Sequence, residues 1–428
     1  MDHYGNSVYL LENLCKGCTN CITRCPTQAI RVRGNKAVIT PGQCIDCGEC
    51  IRICPYHAKK AKRDFIDSID NYKYTVALPA PSLYAQFNHL EDVNILLTAL
   101  KDIGFDDVFE VSAAAEIVSE ESRKYIATHK DQWPLISTAC PTVVRLVQVR
   151  FPNLCEKLLP IITPAELAGE LARKRAAEKT GYAPEEIGIF FLSPCASKVT
   201  AVRHPIGIEK SNIDQVIAIK DIYPVLLSVM PKYAEMPEDL SISGKIGISW
   251  GVTGGEAGGL LSDSFVAADG IENVIHVLED LEDDKFSQDL EFIELNACHG
   301  GCVGGVMTVE NPFAAKAKMQ HLRKYLPVAA SRSEAYGSCS VNWTKNVEYQ
   351  PVFELADNLK ESMEKMAMIE ALTKEFPGLD CGCCGAPTCK ALAEDIVKGV
   401  AKKQDCIHVL RAYIHKLSED IAELSDSI

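Results

Sequence analysis

Apolar positions along the 428 residues fall into three regimes. Between residues 71 and 372, short runs rich in β-branched and aromatic side chains alternate with longer amphipathic stretches. YTVALPAPSL (74–83), EIGIFFLS (186–193), QVIAIK (215–220), GKIGISW (244–250) and EFIELNA (291–297) predict strands. HLEDVNILLTALKDIG (89–104) and PAELAGELARKRAAEK (164–179) carry the three-and-four spacing of helices. Such alternation predicts an α/β domain with mainly parallel sheets, its ligands gathered at strand ends. From residue 407 the pattern changes: Ile407, Leu410, Ile414, Leu417, Ile421, Leu424 and Ile428 form a heptad seam with polar residues elsewhere. The opening residues have no long apolar run, and a basic, polar bridge (57–73) leads from them to the first strand. The predicted layout is a small α+β module at 1–70, the α/β domain at 71–372, a helical four-cysteine segment at 373–406 and a coiled-coil helix at 407–428.

With 47% apolar residues, the chain has ample material for folded cores. Its 44 basic and 58 acidic side chains leave a net charge of −14, which argues against a nucleic-acid surface. No run reaches the length of a membrane helix, and MDHYGNSVYLLENL lacks the layout of a secretory signal, so a cytoplasmic protein is expected. Cysteine changes the picture most. There are 19, an odd number, with eight inside 15–54 and five inside 381–406. Reduced thiols bunched at short spacings read as metal ligands rather than disulfides.

The first group is an internal repeat. Cys15, Cys18, Cys21 and Cys25 precede Pro26, and Cys44, Cys47, Cys50 and Cys54 precede Pro55. This is the spacing of two-cluster ferredoxins, in which the fourth ligand of each 4Fe–4S cube comes from the other repeat. Cys15, Cys18, Cys21 and Cys54 are therefore assigned to one cube, and Cys44, Cys47, Cys50 and Cys25 to a second. Zinc knuckles are the alternative, but they have no need of the doubled pattern with its prolines. Near the other end, Cys381, Cys384, Cys389 and Cys406 resemble a small four-cysteine iron–sulfur domain of redox and sensory proteins, again with zinc as the alternative.

Within the α/β region, three loops after predicted strands carry cysteine. PLISTACPTVVRL holds Cys140, FFLSPCASKV holds Cys195, and ELNACHGGCVGG holds Cys298 and Cys302. One isolated cysteine is ordinarily a small buried hydrophobe. Four in strand-end loops beside proline and glycine predict one more cube deep in the domain. Cys155, Cys339 and Cys383 stay unassigned.

TACP, SPCASK and ELNACHGGCVGG resemble the three signature segments of the FeFe-hydrogenase catalytic domain, and GVTGGEAGG (251–259) resembles the glycine-rich segment between the last two. The resemblance spans roughly residues 1–320. It implies two parallel-sheet lobes with the H-cluster between them: a 4Fe–4S cube joined through one cysteine to a two-iron unit carrying carbon monoxide, cyanide and azadithiolate. It also implies that Cys140, Cys195, Cys298 and Cys302 hold the cube, that Cys302 is the shared thiolate, and that Lys198 hydrogen-bonds a cyanide. The implied reaction interconverts hydrogen with protons and electrons. The azadithiolate amine would be the immediate base, a ferredoxin-type carrier the electron partner, and dedicated maturation proteins the source of the two-iron unit.

The sequence departs from that pattern. Productive members read TSCCP, with a proton-relay cysteine where Ala139 stands here, and a methyl group cannot pass a proton. Ser193 and Asn296 replace methionines near the two-iron unit and are expected to make its pocket more polar. The glutamate relay is disturbed as well: Glu120 and Glu121 lie close, but Ser122 aligns with the first acid. These features resemble the sensory branch of the family, in which slow turnover suffices. Glu256, with Glu294, is the candidate substitute proton path. The terminal seam predicts a parallel homodimer, and no signalling module follows it in this sequence, so a separate signalling partner is expected. The alternative is an iron–sulfur carrier or scaffold without the two-iron unit, which Lys198 and the full third signature oppose. No nicotinamide or flavin fingerprint is present.

Overall fold

Seven parallel strands fall into two separate sheets, and both sheets send cysteine loops from their carboxyl ends. The computed structural model describes residues 5–336, 340–352, 354–356 and 358–426, so Cys339 and Ile428 lie outside the described residues, as does the side chain of Leu424. In the amino-terminal module β1 (Val8–Leu10), β2 (Ile30–Arg33), β3 (Lys36–Ile39) and β4 (Lys59–Ala61) make two antiparallel pairs, β1 with β4 and β2 with β3. The α/β region contains β5 (Tyr74–Pro79), β6 (Asp107–Val108), β7 (Leu135–Ile136), β8 (Ile187–Ser193), β9 (Gln215–Ala218), β10 (Phe265–Asp269) and β11 (Phe292–Asn296). One sheet has the order β6-β5-β8-β9 and the other β10-β11-β7, with every pairing parallel.

β8 shows why the apolar runs are continuous rather than alternating. All seven of its residues are buried, because helices cover both faces of a central parallel strand. The helix Pro164–Thr180 begins with proline in its first turn and Thr163 accepting from the Glu166 amide, and it stops at Gly181, whose φ of 73° suits only a residue without Cβ.

One expectation is corrected. Residues 244–250 do not form a strand but contain the helix Lys245–Ser249. Ile246 and Ile248, two apart, read as a strand, but two positions are too short a run to outweigh tertiary contact. Tertiary contact decides: the amides of Gly244 and Gly247 donate to Glu116 Oε1 at 2.7 and 3.3 Å. A Cβ at Gly247 would come within 2.0 Å of the Ser112 carbonyl, so the helix Val111–Thr128 lies directly against this turn. Within the basic bridge, Lys59 is only 2% exposed.

The carboxyl-terminal helices Leu359–Glu375 and Cys389–Val397 close over their own small core of Ile369, Phe376, Leu392 and Cys406. The last helix, Ile407–Asp426, leaves its seam in solvent: Ile407, Ile414 and Ile421 are each more than half exposed. Among the described residues no helix is long and apolar enough to cross a membrane.

Candidate active site

Each parallel strand that borders the site ends just before a thiol. Cys195 lies two residues past β8, Cys298 two past β11, and Cys140 four past β7. β7 and β11 are hydrogen-bonded neighbours, so Cys140 and Cys298 leave their sheet at the same end. Cys140 and Cys195 each stand at the N-cap of the helix that follows, Pro141–Arg150 and Ala196–Arg203, where the helix dipole favours a thiolate. Gly301 lets the third loop turn back: at φ 90°, a Cβ there would meet the Thr253 amide at 2.6 Å.

The four thiols share one electrostatic environment. Burial pushes Cys298 well up, and its neighbours Cys195, Cys140 and Cys302 push it further. Burial likewise raises Cys195 to about 11. Lys198 Nζ sits 3.5 Å from Cys302 Sγ. Its own burial pulls its pKa down, but Cys302, Cys195 and Cys140 outweigh that and hold it above the ordinary lysine range. A set of four partly buried thiols whose pKa values are held up by their surroundings is favoured as thiolates by cationic iron, and soft sulfur donors are those an iron–sulfur cube takes. The residues fit that group.

Beside them opens a cavity of about 60 Å³, lined among others by Ala139, Lys198, Glu256, Glu294, Asn296 and Cys302. Glu256 is 7% exposed and accepts from Ser137 Oγ at 2.6 Å, and the same hydroxyl accepts from the Ala139 amide at 3.2 Å. Burial, then the Glu294 carboxylate, raises Glu256 to about 8, while Ser137 and Lys198 oppose the rise. Glu294 is raised by its own burial, although the amides of Ala257 and Gly254 and the Asn296 side chain bond to it at 2.8 to 2.9 Å. Asn296 is therefore a cavity wall that also holds Glu294. Ser193 differs from expectation: its hydroxyl is used inside the loop, bonded to the Cys195 amide and carbonyl, and it is not among the cavity-lining residues. Glu120 and Glu121 both bind Lys124 at 2.8 Å, Glu120 also takes Ser333, and the Ser122 hydroxyl is buried with no hydrogen-bond partner among the described residues.

The flanking thiols group in the same manner. Cys25 perturbs Cys44, Cys47 and Cys50, and Cys21 is raised by burial and then by Cys18 and Cys15. Cys25 and Cys54 occupy matching places, each accepting an amide four residues on, from Ala29 at 3.2 Å and Ala58 at 3.3 Å. Cys381, Cys384, Cys389 and Cys406 line one small pocket together with Cys383. Sequence reasoning missed Lys59, whose buried ammonium has no hydrogen-bond partner among the described residues and acts electrostatically on both Cys21 and Cys50. The repeat itself held the signal: Lys59 stands five residues after Cys54, where the first repeat has the buried Ile30 five after Cys25. Ser137 was missed too, although it immediately precedes the first signature.

Clustered all-thiol sets beside a parallel α/β scaffold define a hydrogenase-like iron–sulfur protein. The profile described as "Iron only hydrogenase large subunit, C-terminal domain" matches residues 73–263 and 256–306, more than half of the sequence, and the chain belongs to that family. A 4Fe-4S dicluster domain matches residues 7–55, and an Fe-S cluster domain matches 376–408. Iron hydrogenase 1 of Clostridium pasteurianum is 21% identical over 285 residues, covering 54% of this chain and 50% of that protein, so the chain spans half of that relative's length. The cytosolic Fe-S cluster assembly factor NAR1 of Saccharomyces cerevisiae is 25% identical over 140 residues, 32% of this chain and 28% of that one. A variant of the FeFe-hydrogenase HydA1 from Chlamydomonas reinhardtii overlaps with a TM-score of 0.48 at 15% identity, covering 62% of this chain and 88% of that chain.

Proposed function

We propose that the chain interconverts hydrogen with protons and electrons at low flux and serves as a hydrogen or redox sensor. In this reading the two parallel sheets are the lobes that grip an H-cluster held by Cys140, Cys195, Cys298 and Cys302. The observation that carries it is Lys198 Nζ beside Cys302, at the wall of the cavity that also meets Ala139 and Glu256. When bound, the two-iron unit supplies the site where hydrogen is made or split. Lys198 offers that unit a charge-assisted donor and fixes its orientation. Ala139 presents only a methyl group to the cavity, so the direct proton step is lost. Glu256 and Ser137 take its place from the neighbouring wall, one carboxyl oxygen and one hydroxyl 2.6 Å apart. Restoring the thiol with Ala139→Cys is expected to raise hydrogen-dependent dye reduction by on the order of 10²-fold. No gain would place the slow step elsewhere and remove the reason for reading the chain as a slowed hydrogenase.

The NAR1 likeness favours a second reading, an iron–sulfur scaffold or carrier without the two-iron unit. An ammonium can serve a bare cube as a counter-ion, as Lys59 would in the amino-terminal module, so what weighs against this second reading is the full third signature and the cavity beside Lys198.

The amino-terminal thiols are read as two 4Fe–4S cubes that exchange electrons with a ferredoxin-type carrier, and the carboxyl-terminal four as another. Lys59 lies between the first two, and its positive charge favours their reduced, more anionic forms. Lys59→Met is accordingly expected to shift both midpoint potentials in the negative direction in a redox titration followed by EPR, and Lys59→Arg to retain most of the wild-type values. The exposed seam of Ile407, Leu410, Ile414, Leu417 and Ile421 is read as a homodimer contact that also presents the chain to a signalling partner. A chain ending at residue 406 is expected to sediment as a monomer, and an unchanged dimer would dismiss the seam.

A further inference from the structure

The carboxyl-terminal cysteine loop does not hang free of the rest of the molecule. The amide of Val32 in β2 donates to the Gly385 carbonyl at 2.8 Å, and Arg33 donates to the carbonyl of Cys384 at 3.2 Å. Asp395, on the helix that starts at Cys389, accepts from Arg31 Nε at 2.8 Å and also pairs with Arg33, and its side chain is only 8% exposed. The fit is close. A Cβ at Gly385, whose φ is 80°, would lie 2.1 Å from the Val32 carbonyl. One at Gly382 would stand 3.3 Å from Ile22 and 3.5 Å from Thr19. Gly382 follows Cys381, Ile22 follows Cys21 and Thr19 follows Cys18, so two cysteine loops are in van der Waals contact.

The other face of the amino-terminal module repeats the arrangement. A Cβ at Gly48, next to Cys47, would lie 2.6 Å from Val306, and Arg52 donates to the Gly304 carbonyl at 3.2 Å, just beyond Cys302. Asp46, between Cys44 and Cys47, accepts from Thr200 on the helix capped by Cys195 and pairs with Arg145 on the helix capped by Cys140. The module thus touches the carboxyl-terminal loop through the Cys18–Cys21 segment and the four-cysteine centre through the Cys44–Cys50 segment.

We infer that the four thiol sets form a single-file electron path whose outer terminal is the carboxyl-terminal set, docked on the ferredoxin-like module by the Arg31–Asp395–Arg33 clamp. The inference rests on the reading that each set holds a cube. Cys381, Cys384, Cys389 and Cys406 would hold the cube that accepts one electron from a reduced one-electron carrier, protein or viologen dye. Cys15, Cys18, Cys21 and Cys54 would hold the next in line, Cys44, Cys47, Cys50 and Cys25 the one after, and the central four-cysteine site would be the last acceptor. Hydrogen oxidation sends the electron the opposite way, and no bond forms or breaks at the three outer cubes. Cys381 and Cys383 are exposed while Cys406 is buried, so the terminal set presents one solvent-facing edge to a donor.

The test uses the full-length, iron-reconstituted protein, reduced and examined by EPR. Two adjacent reduced cubes split and broaden each other's signals. Cys389→Ala is expected to lower the iron content and to sharpen the signal of the neighbouring amino-terminal cube. Asp395→Asn is expected to keep the iron content and weaken the same interaction, because it loosens the dock without removing a ligand. A Cys389→Ala spectrum that differs from wild type only by subtraction of an isolated signal would overturn the single file while leaving the cube assignment intact. Unchanged iron content in Cys389→Ala would instead overturn the cube reading on which the path is built.

Discussion

On the proposed reading, Lys198→Met protein is expected, after maturation, to turn over hydrogen about 10- to 100-fold more slowly than wild type, the usual loss when a group that orients a metal centre is removed. The Lys198 side chain reaches Cys302 Sγ at 3.5 Å from within a cavity wall. Its ammonium is favoured by the surrounding thiolates, so methionine keeps the volume but leaves their charge uncompensated. The cube stays, because Lys198 supplies no ligand to it. Iron analysis is therefore expected to change little while the cyanide bands in the infrared spectrum shift or vanish. A variant with wild-type bands and wild-type turnover would show that the ammonium orients nothing, and Lys198 would revert to a structural counter-ion.

The second large effect is expected at Glu256. Glu256→Gln keeps the hydrogen bond to Ser137 but cannot exchange a proton, and turnover should fall on the order of 10²-fold. Glu256→Asp should recover part of it. The same site gives a pH signature in stability. Burial and then Glu294 raise the Glu256 carboxyl from 4.5 to about 8, so the folded state binds this proton more tightly than the unfolded chain. The stabilisation is complete below 4.5 and is lost as pH rises through 8. Wild-type stability should decline across that window, and Glu256→Gln should flatten the decline in denaturant titrations at successive pH values. Full hydrogen turnover in Glu256→Gln would remove this carboxyl from the proton path.

The sequence made some of this legible and hid the rest, for identifiable physical reasons. Ligand thiols at short spacings betray themselves, because a loop wrapping a cube needs fixed intervals between sulfurs. Alternating strands and helices revealed parallel sheets, since β8 must be apolar on both faces. Glu256 was visible only because the glycine-rich segment around it is a motif; that it would be raised by Glu294 and bonded to Ser137 depends on residues far apart in the chain. Residues 244–250 were misread because two isoleucines separated by one residue give a strand-like pattern, which the contact of this turn with Glu116 overrides. Ser193 was expected in the cavity, but a hydroxyl next to a strand end finds its own loop's backbone first. Asp395 and its two arginines are more than 350 residues apart and carry no local pattern. Only folding brings them together.

All of these expectations depend on Cys140, Cys195, Cys298 and Cys302 gathering around one cube that can accept a two-iron partner. The infrared spectrum of the full chain after treatment with the maturation proteins tests that most directly. The expected result is a set of carbon monoxide and cyanide stretching bands that Cys302→Ala abolishes. A protein carrying its full complement of iron–sulfur cubes yet showing no such bands would contradict it and leave an electron carrier or scaffold in place of a hydrogen enzyme.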